Sequence, residues 1–485
     1  MPSLVIRSEH RRSPRIWGIL AVLGFASACA TNPATGKREF SLVSEGQEIQ
    51  MGQQGKQDVL RSMAVHPDST LQRYVSSLGM AMARKSERPE LPWSFVVLED
   101  PVVNAFALPG GPIFITRGIL THMTSEAELV SVLGHEMGHV TARHSARQMS
   151  QQQLASVGLM AGMIISPQIA KFGEAASQGL GLLFLKFGRG DELQADELGF
   201  KYMLQENYDP REMASMFQTL DRMRGDEGGR VPEWQSTHPD PGNRVANTEQ
   251  RITALNRSLA GLTVDRDEFL TRTNGLLFGE NPREGFFEGT TFHHPELRFR
   301  FDFPSGWKTV NQTQQVAGVS SAQDAMISIT LAGNAAPSTV LQQFLGQQGI
   351  QAGRTSSSAI NGLPAALGEF RAQTEQGVLA GVIGFLSHNG STYKIMAYTP
   401  EPRASQYGNL FQQAIGSFRP ETDTRVLNIK PNRVRIVDLP RAMTVAQFNQ
   451  AYPSVIPLAQ LALINGVAEG DTFPAGSKVK RVVVE

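Results

Sequence analysis

Residues 125–144 read SEAELVSVLGHEMGHVTARH. Ser125, with Glu128 three places on and Leu129, Val130, Val132 and Leu133 behind it, has the form of a capping box that opens an apolar helix. The spacing predicts a helix from near Glu126 to about Met149. His135 and His139 stand four apart and so share a face, where both imidazoles can grip one ion. Glu136 lies about 100° round from His135, near enough to reach a water on that ion but not to replace a ligand. Neutral imidazole is a good donor for Zn²⁺. On a continuous helix His144 sits about 140° round from His139, off the metal face.

A catalytic zinc needs a third protein ligand and an open position. Some fifty residues on, 189–196 read RGDELQAD. Glu192 and Asp196 are four apart on a predicted helix and face the same way. One carboxylate can bind the ion, and the other can accept the free N–H of a ligand histidine and fix its tautomer.

These motifs in combination resemble the gluzincin metallopeptidases of the HtpX and CAAX-prenyl-protease type, metallopeptidase family 48, and in particular bacterial lipoprotein members of that family. The resemblance covers about residues 29–255. It draws in Asn104–Gly111 (NAFALPGG) and Thr237-His238-Pro239 with Arg244. It implies a mainly helical zincin-type domain with a small β-sheet, in which His135, His139 and Glu192 hold one Zn²⁺ and Glu136 is the general base on its bound water. Asp196, Arg189 and Arg244 are expected to support the ligands from behind. Asn104, Ala105 and Phe106 would form an edge strand that pairs with an extended substrate. His238 and Arg244 are the candidates to stabilise the oxyanion, with His238 favoured; His238 has a second reading, a fourth zinc ligand that keeps the enzyme latent.

Composition fits a folded, multi-domain chain. Of 485 residues, 41% are hydrophobic and 19% charged; 45 Lys and Arg balance 45 Asp and Glu, which gives no support for a nucleic-acid binder working through a basic field. The one cysteine, Cys29, rules out an intrachain disulfide and a cysteine-rich metal site. Before it come Arg7, Arg11, Arg12 and Arg15 and then an apolar run, Ile16 to Ala26, too short to span a bilayer. Ala26-Ser27-Ala28-Cys29 resembles a lipobox. Residues 1–28 are therefore expected to be a lipoprotein signal peptide, Cys29 the lipidated residue, and the location the periplasm, anchored to the outer membrane.

The expected organisation continues with a tether at 29–44, the peptidase domain at 45–260 and a linker at 261–290. Residues 291–420 are expected as an α+β sandwich resembling the Mog1/PsbP type, and 424–485 as a LysM-like module in contact with peptidoglycan. The apolar stretch 154–187 reads as buried core helices, or as a membrane-facing or lid element over a cleft. The function implied is endopeptidase action on misfolded or stalled envelope polypeptides. The alternatives are a latent protease acting as a chaperone or assembly factor for outer-membrane proteins, and a glycan-binding scaffold led by the last module.

Overall fold

The computed structural model describes residues 29–159, 187–226, 234, 238, 241–374 and 377–485. The expected signal peptide and most of the apolar 154–187 stretch lie outside the described residues. No helix among the described residues is long and apolar enough to cross a membrane.

The segment expected as a tether is a docked hairpin. Strands β1 (Cys29–Thr31) and β2 (Arg38–Phe40) pair antiparallel, Cys29 opposite Phe40. Two helices follow, α1 (Glu45–Ser62) and α2 (Ser69–Ala83). Asp68 starts the second by accepting the amides of Thr70 and Leu71, which is why the helical periodicity of this stretch does not produce one rod. Strands β3 (Ser94–Leu98), β4 (Ala105–Ala107) and β5 (Pro112–Thr116) form a three-stranded sheet with β5 in the middle, parallel to β3 and antiparallel to β4. A short helix α3 (Arg117–His122) leads into α4 (Glu126–Thr141). All sixteen residues of α4 are buried.

The cap of α4 forms in part. Ser125 Oγ accepts the Glu128 amide at 3.2 Å, but the Glu128 carboxylate turns to the Thr124 amide at 2.5 Å and does not close the box. The helix also ends sooner than the spacing predicts. Ala142 and Arg143 interrupt it, and α5 (His144–Leu159) leaves in a new direction. Arg143 sits at φ 59°, a region a non-glycine residue occupies only when its surroundings fix it. Those surroundings are explicit. Its Nε donates to Glu48 Oε2 at 2.9 Å and its Nη2 to the Val43 carbonyl at 2.8 Å. Buried Glu48 also takes Arg88 at 2.9 Å, and Arg88 donates to the Val140 carbonyl at 2.9 Å. Helix α1 thus locks the C-terminal end of α4.

Helix α6 (Arg189–Gln205) crosses α4 backbone against backbone. A Cβ added at Gly138 would lie 2.9 Å from Ala195 Cα and O; one added at Gly134 would lie 3.2 Å from Gly199 Cα. Small residues at these four places let the two helices approach closely enough to share one ligand sphere. Helices α7 (Arg211–Asp226) and α8 (Pro241–Ala254) complete the layer.

The stretch expected as a linker is structured. Helix α9 (Arg266–Thr273) buries Phe269 and Leu270 in the core shared with α2 and α4. Residues 275–278 then exchange backbone hydrogen bonds with Asn432 and Val434.

The second region is α+β. Its seven-stranded sheet includes Met326–Leu331 and Gly377–His388, both legible as strands, and also Ile350–Ile360 and Leu363–Thr374, which were not. The former of these last two reads IQAGRTSSSAI, lies on the sheet edge and is largely exposed, so its side chains carry no alternating apolar signal.

Residues 432–485 form a β-α-α-β unit. Asn432–Asp438 pairs antiparallel with Lys478–Val484, and helices Val445–Ala451 and Leu458–Ile464 lie between them in sequence. This unit sits on the region that carries α3 and α4. Buried Lys480 donates from Nζ to the carbonyls of Thr121 at 2.9 Å and Met123 at 2.6 Å, at the turn into α4. Leu463 enters the same core as Leu129 and Leu133 of α4.

Candidate metal centre

Four buried donors converge where α4 meets α6: His135, His139, Glu192 and His238. His135 Nε2 lies 3.0 Å from His139 Nε2, 3.3 Å from His238 Nδ1 and 3.5 Å from Glu192 Oε2. Glu192 Oε1 lies 3.5 Å from His139 Nε2 and 3.0 Å from His238 Nδ1. A tetrahedral zinc with ligands at about 2.0–2.1 Å has ligand–ligand edges of about 3.3–3.4 Å. The donor set therefore has the size and the chemistry of a zinc sphere.

The rear contacts fix the tautomers. His135 Nδ1 donates to Asp196 Oδ1 at 2.9 Å, which leaves Nε2 a bare lone pair. His144 Nε2 donates to Gln194 Oε1 at 2.9 Å, so its Nδ1 accepts from His139 Nδ1 at 2.9 Å, and His139 Nε2 is bare as well. His144 was expected off the metal face. The break at Arg143 swings it back behind His139, where it orients the ring. No signal in the sequence marks that break, because neither Gly nor Pro stands at 142 or 143.

Arg244 organises the carboxylates. It donates to Asp196 from Nε at 2.8 Å and from Nη2 at 2.6 Å, and its Nη1 lies 3.2 Å from Glu192 Oε2. Its guanidinium carbon is 4.1 Å from the Phe217 ring centroid and 4.7 Å from that of Trp234. Trp234, which sequence reading passed over, also stacks on His238 with centroids 4.8 Å apart. Arg189 does not join this cluster. It is exposed at the first residue of α6, since the helix turns its start outward, and Asp191 rather than Arg189 makes the helix-start contacts.

The electrostatics match the roles. Burial, helped by Arg244, lowers the His135 imidazole to about 4. Burial and the neighbouring His135 and His144 bring His139 well below its usual value. Both rings are held neutral, the form a metal ligand needs. Burial would raise Glu192, but His238 and Arg244 outweigh it and hold the group below the usual carboxylate value. Burial likewise works against ionised Asp196, and Arg244 with His135 brings it far below. Glu136 is different. Burial pushes its carboxyl up to about 7, against the pull of His238 and of a hydrogen bond from the Trp234 side chain. His238 Nε2 lies 3.6 Å from its Oε1. A buried carboxyl with a pKa near neutrality is equipped to take and return a proton.

Beside this cluster β4 is the edge strand of its sheet and packs on α4. Asn104 is tied at its backbone to Thr116, with Asn104 O accepting the Thr116 amide at 3.0 Å, while its buried Oδ1 has no partner. Ala105 is buried and Phe106 half-buried.

A helix pair that brings two histidines and a glutamate onto one point, with a buried glutamate beside it, defines a metallopeptidase domain. Residues 69–252 match the model of peptidase family M48, and this part of the chain is an M48 peptidase domain. The chain is 30% identical over 263 residues to the beta-barrel assembly-enhancing protease of Escherichia coli (strain K12), covering 52% of this chain and 53% of that protein. It is 32% identical over 226 residues to the mitochondrial metalloendopeptidase OMA1 of Schizosaccharomyces pombe, covering 45% of this chain and 65% of that one. The chain thus spans about half the length of the beta-barrel assembly-enhancing proteases it matches. Among solved structures, the solution structure of cyanobacterial PsbP from Synechocystis sp. PCC 6803 is similar at a TM-score of 0.24 and 16% identity, covering 28% of this chain and 95% of that one.

Proposed function

We propose that the protein is a zinc-dependent endopeptidase of the bacterial cell envelope that cuts misfolded or stalled envelope polypeptides. The observation that carries this reading is the convergence of His135, His139 and Glu192 with buried Glu136 beside them, its carboxyl raised toward neutrality. When bound, Zn²⁺ supplies Lewis-acid polarisation of the scissile carbonyl and acidifies a water. The remaining work belongs to the chain. Edge strand β4 binds an extended peptide through its backbone, which gives affinity with little sequence preference. Glu136 removes the proton from the attacking water and returns it to the leaving amine. His238 Nε2 lies on the Glu136 side of the cluster and supplies a donor for developing negative charge. Cys29 carries the lipid that holds the body at the outer membrane, and the 424–485 module contacts peptidoglycan.

A second reading rests on His238 Nδ1, which stands within ligand distance of the other donors. With His238 as fourth ligand the sphere is closed, and the protein is a latent protease serving as an assembly factor.

The test is metal analysis and casein cleavage by the full chain beside Glu136→Gln. One zinc per chain in both, with cleavage reduced about 10²–10⁴-fold in the variant, is expected. Retained cleavage in the variant would remove Glu136 as the base. Zinc without cleavage in the wild type, with cleavage appearing in His238→Ala, would favour the closed sphere.

A further inference from the structure

The stretch behind Cys29 is bound to the peptidase domain at several points. Leu42 N donates to Ser150 Oγ at 2.9 Å, and Val43 O accepts from Arg143 at 2.8 Å. Asn32 Nδ2 donates to Glu39 Oε1 at 3.0 Å, which aims the other oxygen of Glu39 at helix α5. There Arg147 Nη1 donates to Glu39 Oε2 at 2.7 Å. Its second nitrogen, Nη2, reaches Asp191 Oδ1. The other oxygen of Asp191 accepts the Gly188 amide at 3.2 Å and so sets the first turn of α6. The next residue is Glu192. One guanidinium therefore joins the hairpin β1–β2 to the turn that presents the acidic donor of the metal cluster.

We infer that Arg147 is a positioning residue of the metal centre, and that the hairpin behind Cys29 is the fixed support through which it acts. The inference rests on the metal reading above. Glu192 comes from a different helix than the two histidines, so its place depends on where α6 begins. At that start, Asp191 is held from two sides, by its own backbone at Gly188 and by Arg147. Arg147, Glu39 and Asp191 are each between a fifth and a quarter exposed, so the triad is worth little to global stability. A ligand position is less tolerant, because metal sites ask for distances within about 0.2 Å. Loss of Arg147 frees the first turn of α6 and is felt first as weaker metal binding.

The experiment is competition of Zn²⁺ between a fluorescent chelator and the full chain, for wild type, Arg147→Gln, Arg147→Lys, Glu39→Gln and Arg354→Gln. Arg354 pairs with Glu369 on the seven-stranded sheet and serves as an unrelated ion-pair control. Arg147→Gln should bind zinc about tenfold more weakly, the low end of what outer contacts of a ligand contribute. Arg147→Lys should recover most of that loss, Glu39→Gln should shift in the same direction, and Arg354→Gln should match wild type. The metal-free forms should melt together. Zinc affinity of Arg147→Gln equal to wild type overturns the inference and leaves the metal reading intact. Equal weakening in the Gln and Lys variants, with a matching fall in metal-free melting, also overturns it, since that is a packing effect alone. Should Arg147→Gln fail to fold, Glu39→Gln decides in the same assay. A wild type that takes no zinc fails the metal reading itself, and this inference with it.

Discussion

Gly138→Ala is the sharpest perturbation the helix pair offers. An added methyl carbon at 138 would stand 2.9 Å from Ala195 Cα and O, where ordinary contact begins near 3.4 Å. Neither neighbour is a flexible side-chain end, so relief requires α6 to retreat from α4 by about 0.5 Å. Alanine in a helix interior gains about 0.5–1 kcal/mol over glycine. Overpacking costs about 1–3 kcal/mol, so the net expectation is a loss of about 0–2.5 kcal/mol. The effect on the metal is larger in proportion. A retreat of about 0.5 Å exceeds the roughly 0.2 Å tolerance of a zinc sphere, and it moves Glu192 away from His135 and His139 together. Gly190→Ala is the control: it lies in the first turn of the same helix, and nothing lies within 4 Å of its added carbon. Denaturant unfolding of the metal-free proteins and chelator competition with zinc measure both effects. Gly138→Ala should lose zinc affinity by about tenfold or more, and Gly190→Ala should keep it. Zinc affinity unchanged in Gly138→Ala would refute the claim that close backbone contact sets the ligand geometry.

Three further outcomes are expected. His144→Ala removes the acceptor behind His139, so zinc affinity should fall about tenfold with Gln194 left unpartnered; an unchanged chelator titration would contradict this. Arg244→Met strands two buried carboxylates and should cost about 3–5 kcal/mol in denaturant unfolding, and a loss under 1 kcal/mol would show the carboxylates are paired by other means. In the second domain His294, brought to about 4 by burial, accepts the Leu297 amide at Nδ1 and must stay neutral to do so. The unfolded ring takes a proton near 6.5 and the folded ring only near 4, so stability should fall as pH drops through that window, by at most roughly 3 kcal/mol. Amide exchange in Thr291–His294 and Phe299–Asp302 should show that loss, and His294→Gln should flatten it.

Spacing carried the centre of the site. The four-residue step puts His135 with His139 and Glu192 with Asp196 regardless of context, because helix geometry is local. What local geometry cannot supply is a change of direction paid for at long range. The turn at Arg143 depends on Glu48, 95 residues earlier in the chain, so the spacing leaves His144 rightly outside the donor set but does not show that it comes to stand behind His139. Arg189 was expected behind the ligands on its motif alone, yet its exposure follows from how α6 enters the fold. The hairpin at 29–40 and helix Arg266–Thr273 were missed because polar, turn-rich residues there take order from a partner surface. The edge strand Ile350–Ile360 was missed because it lacks a buried face to alternate against.

The Lys480 ammonium meets the carbonyls of Thr121 and Met123 across 359 and 357 positions of sequence. Closing so wide a loop carries a heavy entropic toll and comes late in folding. The rod bearing both histidines would therefore wait for its entrance to be finished until the distal unit has emerged and docked. A chain halted during synthesis would hold every donor of the metal cluster and still lack that last brace.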